Sequence, residues 1–336
     1  MPTLCLLFRR PAQRFHSIER VFGQLDDQLG EEFRVEKTFL PYYSSSIFNL
    51  LRNILFTRRR SADIFHVTGD VHYAVWGLPR GRTVLTIHDL VFLYRPGGIK
   101  RRLFKWLFLD MPVRHCGLIT TISEATKKDI LANTKCAPEK IVVIPDPVDQ
   151  RMRYVPAVFD ETNPVILFIG STPNKNLPGV IEALEGVPCT LNIVGKPSPD
   201  QVDKLNERKI RFTNRYDLSD EELIAQYIGA DLVLFPSTFE GFGLPVVEAQ
   251  KAGRPVITSD LDPMREVAGG AACLVDPYKP ESIREGVLKV IRDKAYREQL
   301  VEKGFINAER FSPGDIGSRY SAAYKTLLSC AASQPF

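Results

Sequence analysis

A rhythm constrains this chain more than any single residue does: short apolar runs alternate with amphipathic stretches from end to end. That alternation marks repeated strand–helix units whose strands pair in parallel. In the first half it predicts strands at Thr3–Phe8, Asp63–Val67, Thr83–Ile87, Leu118–Ile122 and Ile141–Ile144. In the second half it predicts Val165–Ile169, Thr190–Val194, Ile210–Phe212, Asp231–Phe235, Pro255–Thr258 and Ala272–Val275. Helical spacing lies between them. Ile18, Val21, Phe22, Leu25 and Leu29 recur on one helical face, with Ser17 before and Gly30 after. Ser219 and Glu222 stand at the spacing of a capping box, in which each satisfies the other's free amide. Proline gathers at Pro145, Pro147, Pro156 and Pro164, and a linker is expected near 148–164. Two doubly wound domains in series follow, each with its ligand edge beyond the carboxyl ends of its strands.

The 336 residues suffice for two cores of ordinary size. No apolar stretch approaches the roughly 18 to 20 residues of a membrane span. Met1–Phe8 is apolar but short and ends at Arg9-Arg10, which reads as a first strand and not as a signal peptide. The six cysteines are scattered without a Cys-x-x-Cys pair, which suits reduced thiols in a cytoplasmic protein better than a disulfide framework or a zinc site. Charge is uneven. Residues 1–150 carry 22 basic and 15 acidic side chains, and the remainder carries 22 and 25. Arg58-Arg59-Arg60 and Lys100-Arg101-Arg102 cause the bias, which is either a solvated face or a surface for an anionic membrane or acidic substrate.

The segment Phe235-Pro236-Ser237-Thr238-Phe239-Glu240-Gly241-Phe242-Gly243-Leu244-Pro245-Val246-Val247-Glu248-Ala249 carries the most chemistry. A strand ends near Phe235, and a helix begins near Pro245 and stops before Gly253. Gly241 and Gly243 let backbone approach a ligand, and the free amides of the helix start can hold phosphate. Glu240 and Glu248 flank that anion site. Carboxylates beside phosphate are tolerated when they accept hydrogen bonds from hydroxyls, so the pair suggests a nucleotide sugar. The spacing also fits a capped helix with two solvated acids. A second turn, Gly170-Ser171-Thr172-Pro173-Asn174-Lys175-Asn176, joins a strand to a helix start. Its lysine is either a surface residue or the charge that neutralises a departing diphosphate. Ser171, Thr172 and Asn174 add uncharged donors. His88 follows the Val84–Ile87 run and should sit at a sheet's carboxyl edge; Asp89 either orients it or starts the next helix. Ser123 reads as an N-cap.

Glu240-x7-Glu248 with Gly-Phe-Gly-Leu-Pro between, followed by Ala252-Gly253-x-Pro255-Val256-Ile257, resembles the donor-site signature of retaining GT-B glycosyltransferases of family 4, the group 1 type. The resemblance covers about residues 83–330 and weakens before that: the family's glycine-rich first turn is replaced by Arg9-Arg10-Pro11-Ala12-Gln13-Arg14-Phe15-His16-Ser17. It implies an α/β protein of two Rossmann-like domains facing across a cleft. An acceptor domain spans 1–152, with a helix at 313–330 returning to it, and a nucleotide-sugar donor domain spans 160–311. It places Glu240 beside the transferred sugar, Glu248 on the ribose hydroxyls, and the amides of Phe242, Gly243 and Leu244 on sugar and phosphate. Gly170, Ser171, Asn174 and Lys175 complete the donor set. His88, with Asp89, belongs to the acceptor-side wall, and His88, Lys175 and Glu240 are the catalytic candidates. The family's arginine partner for Lys175 is absent from this turn.

The expected activity is metal-independent, retaining transfer of a hexose from a nucleotide-diphosphate sugar to a glycan or lipid-linked acceptor in cell-surface polysaccharide synthesis. No cofactor, metal or nucleic acid is expected. The expected location is the cytoplasm, with the basic N-terminal domain offering a peripheral contact to the inner face of the membrane. Asp260-Leu261-Asp262 spells an acid-x-acid metal motif but falls in a loop where the resembled family has no metal site. Gly241-Phe242-Gly243 is no dinucleotide fingerprint, since residue 246 is valine. A GT-B phosphorylase or epimerase, or an inactive GT-B partner subunit binding glycan or membrane, are the rival readings.

Overall fold

The computed structural model describes residues 1–11, 17–94 and 98–332. The chain divides into two compact units, Met1–Pro147 with Pro313–Phe336, and Val148–Ser312. Each holds a six-stranded sheet whose strand pairs are all parallel.

In the first unit the strands are β1 (Thr3–Phe8), β2 (Arg34–Phe39), β3 (Ile64–Val67), β4 (Thr83–Ile87), β5 (Leu118–Thr121) and β6 (Ile141–Val143), in the order β2-β1-β3-β4-β5-β6. Strand β2 is absent from the sequence-based expectation. It lies at the sheet edge and reads Arg-Val-Glu-Lys-Thr-Phe with no residue buried, so it shows no apolar run. The helix expected over Ile18–Leu29 is broken into Ser17–Gly23 and Asp26–Gly30, while Val21, Phe22, Leu25 and Leu29 all stay buried. Helix Pro313–Ala332 lays Ile316, Tyr320, Tyr324 and Leu327 into the core built by Leu4, Leu6, Phe22, Phe33 and Ile64.

In the second unit the strands are β7 (Val165–Ile169), β8 (Thr190–Val194), β9 (Arg211–Arg215), β10 (Leu232–Phe235), β11 (Val256–Ser259) and β12 (Cys273–Val275), ordered β12-β11-β10-β7-β8-β9. The sequence therefore runs outward from β7 to one edge, returns beside it at β10 and continues to the other. Ser219 caps helix Asp220–Ile228 with both bonds of the capping box formed. Residues 148–164 form neither helix nor strand, yet they are not a free tether. Val148 N–H donates to Phe311 O at 2.8 Å. Arg151 ties Asp149 to Asp220, and buried Arg254 donates to Val155 O.

Candidate functional site

In the second unit β7 and β10 are neighbours, and the strand order reverses between them. The loops leaving their carboxyl ends therefore diverge around a crevice, the place where open parallel sheets bind ligands. The loop after β7 contains Gly170–Asn176, and the loop after β10 contains Pro236–Gly243.

The two loops are sewn together. Thr238 N–H donates to Asn174 O at 2.8 Å, and Asn174 Nδ2 donates to Phe239 O at 2.9 Å and to Glu240 Oε1 at 3.3 Å. Asn176, in the left-handed region at φ 65°, donates from Nδ2 to Pro277 O at 2.6 Å. Gly170 sits at φ 98°, and a Cβ there would lie 2.7 Å from Lys175 Cγ. Glycine at this position lets the lysine stem cross directly over the backbone. The result is an ion pair: Lys175 Nζ stands 2.6 Å from Glu240 Oε1 and 4.6 Å from the Phe235 ring centroid. The two side chains are only 18% and 13% exposed, so water screens them far less than a surface pair. Ser171 Oγ accepts from Lys196 N–H at 3.0 Å, which ties the loop after β7 to the end of β8.

Gly243, at φ 100°, stands just before helix Leu244–Lys251, whose first turn contains Pro245. The first amides of a helix have no intrahelical acceptor, and the dipole makes this end attractive to anions. Phe242 is buried against Phe311 with ring centroids 5.5 Å apart, so only its backbone is open to a ligand role. Ser237 Oγ is buried in the same loop, with no hydrogen-bond partner among the described residues.

Glu248 is 4% exposed and so is not a solvated acid, and the hydroxyl of fully buried Tyr227 donates to its Oε2 at 2.5 Å. Tyr227 lies on helix Asp220–Ile228, and its part in the site was not read from the sequence. The rejected acid-x-acid motif has a plain role, since Arg265 pairs with Asp260 at 3.0 Å and with Asp262 at 3.1 Å.

In the first unit His88 follows β4, and its Nε2 lies 2.8 Å from Thr68 O. A carbonyl only accepts, so Nε2 carries the proton. Of the two roles considered for Asp89, the structure shows the turn-starting one: its Oδ1 accepts from Val91 N–H at 3.0 Å. Ser123 caps helix Glu124–Asn133 by accepting from Thr126 N–H. Burial raises the Asp146 carboxyl above its usual range, opposed by the charge of His88. Behind His88 runs a buried polar chain that the sequence reading missed. His66 lies between Tyr324 OH and Thr86 Oγ1, each at 2.7 Å, and Thr86 meets Thr120 at 2.6 Å. Burial lowers the His66 pKa to about 3. The stretch from Arg9 to Ser17 that departs from the resembled family falls largely on residues 12–16, outside the described residues.

Comparison with known proteins agrees with this architecture. Residues 7–151 match the model of "Glycosyltransferase Family 4", and residues 155–306 match that of "Glycosyl transferases group 1". The chain is 28% identical over 275 residues to the O-antigen chain mannosyltransferase B of Escherichia coli, covering 73% of this chain and 71% of that protein. It is 24% identical over 262 residues to the serotype-specific mannosyltransferase WbdA of Escherichia coli, covering 69% of this chain but only 32% of that longer protein. Among solved structures it is similar in fold to HepE of Anabaena in complex with UDP and glucose, with a TM-score of 0.75 at 16% identity, over 96% of this chain and 99% of that one. Among the described residues no helix is long and apolar enough to cross a membrane.

Proposed function

The chain belongs to glycosyltransferase family 4 and has the GT-B fold, and from that premise we propose that it moves a hexose from a nucleotide-diphosphate sugar onto a glycan or lipid-linked glycan, with retention and without a metal. One observation carries the reading: at the strand-order reversal of the second unit, Lys175 and Glu240 are clamped together beside a glycine-started helix N-terminus. A cation, a carboxylate and free amides within one crevice match the needs of a diphosphate attached to a polyhydroxylated ring.

Each residue then has a task. The amides of Gly243 and Leu244 and the ammonium of Lys175 hold the diphosphate, with Gly170, Ser171 and Asn174 shaping the turn that presents the lysine. Glu240 accepts hydrogen bonds from the sugar hydroxyls, and Glu248, oriented by Tyr227, accepts from the ribose. As the bond from the anomeric carbon to the phosphate oxygen breaks, charge builds on the leaving group, and Lys175 stabilises it. The acceptor hydroxyl attacks from the face the diphosphate leaves, and its proton passes to a phosphate oxygen. His88, with Nε2 fixed by Thr68 O, contributes to the acceptor side. The similarity to an O-antigen chain mannosyltransferase and to a serotype-specific mannosyltransferase favours mannose and a cell-surface polysaccharide acceptor.

Calorimetric titration with UDP, GDP and their sugars tests the donor half. One nucleoside diphosphate should bind the full chain at one site, and Lys175→Ala should weaken it at least about tenfold, the loss of about 1.4 kcal/mol of charge-assisted contact. Binding of no nucleoside diphosphate, or equal binding by the variant, contradicts the assignment.

A further inference from the structure

One carboxyl of the first unit has no internal partner. Asp146 stands three residues past β6, half-buried, between Pro145 and Pro147. Among the described residues it makes no hydrogen bond and no ion pair. A carboxylate drawn out of water without donors is unfavourable, so packing alone gives no reason to keep one here. Burial accordingly holds its carboxyl above the usual range, the state of a group still lacking its donors. The segment around it is nonetheless fixed. Ile144 N–H donates to Thr121 O at 2.8 Å and Val148 N–H donates to Phe311 O at 2.8 Å, which pins the chain on either side. Pro145 and Pro147 fix their own φ, and a following proline restricts Asp146 to extended backbone. A rigid mount thus presents an unpaired carboxyl.

Asp146 shares the carboxyl edge of its sheet with His88. Ile87, Thr121 and Val143 stand level across β4, β5 and β6. His88 follows that level directly on β4, and Asp146 lies a little past it on β6, so the two flank the end of β5. Neighbouring strands are about 4.8 Å apart, which separates β4 from β6 by on the order of 10 Å. The charge of His88 is felt at Asp146, so the two side chains are neighbours over that gap. Ser123, at the end of β5 between them, is already committed to capping helix Glu124–Asn133. His88 is held as firmly as Asp146: Nε2 donates to Thr68 O at 2.8 Å, and its own carbonyl accepts from Thr126 Oγ1 at 3.4 Å. With the proton on Nε2, Nδ1 is a lone-pair acceptor, and among the described residues nothing donates to it.

Two acceptors without donors, rigidly placed on one sheet edge, fit a ligand that brings hydroxyls. We propose that Asp146 and His88 Nδ1 form the subsite for the acceptor sugar, the carboxylate accepting from ring hydroxyls and Nδ1 from a further one, with Asp146 determining specificity. Assigning the subsite to the acceptor rests on the glycosyl-transfer reading; hydroxyl binding by this pair does not. Hydroxyl donors offset the desolvation of the carboxylate, which the protein's own groups leave uncompensated. The same chemistry selects against an anion. No lysine or arginine pairs with Asp146, so a phosphate or carboxylate on the bound ring would meet a like charge without a cation to relieve it. A neutral sugar is thereby favoured over one bearing a charged group at that place.

Saturation-transfer NMR of the full chain, in the presence of UDP or GDP, tests the proposal. The probes are the methyl glycosides of mannose, glucose, galactose and N-acetylglucosamine and a mannosyl trisaccharide. At least one should bind, and its phosphorylated analogue should bind far more weakly. Asp146→Asn keeps the shape and removes the charge, so it should weaken that glycoside about tenfold to a hundredfold, the worth of a hydrogen bond to a charged group. In turnover the variant should raise the acceptor KM by a similar factor and leave the donor KM unchanged. Its denaturation midpoint should equal or exceed that of the parent, because no internal bond is lost; a packing role for the carboxyl would lower it. Binding of no glycoside by the parent, equal binding by Asp146→Asn, or a lowered midpoint overturns the proposal. A parent that binds a glycoside through Asp146 yet forms no product keeps the subsite and overturns glycosyl transfer instead.

Discussion

Lys175 and Glu240 form an ion pair, and that pairing sets unequal consequences for changing either one. Lys175→Ala deletes the charge proposed to stabilise the leaving diphosphate. A preorganised contact of that kind is worth about 3 to 4 kcal/mol in the transition state, so turnover should fall about a hundredfold to a thousandfold. The same change leaves Glu240, 13% exposed, with Asn174 Nδ2 at 3.3 Å as its remaining partner shown here, and should cost about 1 to 3 kcal/mol of stability. Glu240→Gln acts oppositely on the ground state. It frees Lys175 from an ion pair at 2.6 Å and removes a negative charge from beside the diphosphate. Nucleoside diphosphate binding should hold or tighten, by up to about tenfold, while turnover falls because the sugar loses its carboxylate. The double variant should show a coupling of about 1 to 3 kcal/mol in a kinetic cycle, as expected for groups in direct contact. Steady-state kinetics with diphosphate titration on the four proteins reads every arm. Turnover intact in Lys175→Ala, or diphosphate binding abolished in Glu240→Gln, refutes the reasoning.

Glu248→Ala should raise the donor KM more than it lowers kcat, and should also destabilise the fold by about 1 to 3 kcal/mol, because the buried Tyr227 hydroxyl loses its acceptor; denaturant melts check the second part, with Glu248→Gln as the variant that keeps an acceptor. Gly170→Ala places a Cβ 2.7 Å from Lys175 Cγ at a φ of 98°, so it should displace the lysine, lower turnover toward the Lys175→Ala level and cost on the order of 1 kcal/mol of stability, read by the same kinetics and melts. His66 has its folded pKa depressed to about 3, so its contribution to stability is complete above the unfolded value of about 6.5 and is lost as pH falls toward 3. Chemical denaturation across that window should show a steeper acid loss for the parent than for His66→Gln.

Strand runs buried on both faces were legible because apolar residues dominate them, with buried polar exceptions such as Thr86 held by hydrogen bonds. Strands β1, β4, β7 and β8 occupy the residues their apolar runs mark. Strand β2 was not legible, because an exposed edge strand needs no apolar signature. At the site, the glycines, the lysine and the two glutamates stood out by spacing within short segments. Their partners did not. Tyr227 reaches Glu248 from another helix, and Asn174 joins its loop to one 65 residues away. Such contacts are set by strand order, which local pattern does not encode. His66 looked like any residue in an apolar run, and only the C-terminal helix, bringing Tyr324 across 258 residues, gives it a partner.

Nuclear magnetic resonance of the anomeric centre during turnover tests the central claim most directly. The full chain is mixed with the nucleotide sugar that binds and with a mannosyl oligosaccharide acceptor, and the new anomeric signal is followed in time. A new glycosidic bond with the donor's own anomeric configuration should appear. Its formation depends on acceptor, is unaffected by a chelator and needs no inorganic phosphate. A product of inverted configuration, a sugar phosphate formed only with added phosphate, or an epimerised sugar formed without acceptor would contradict it.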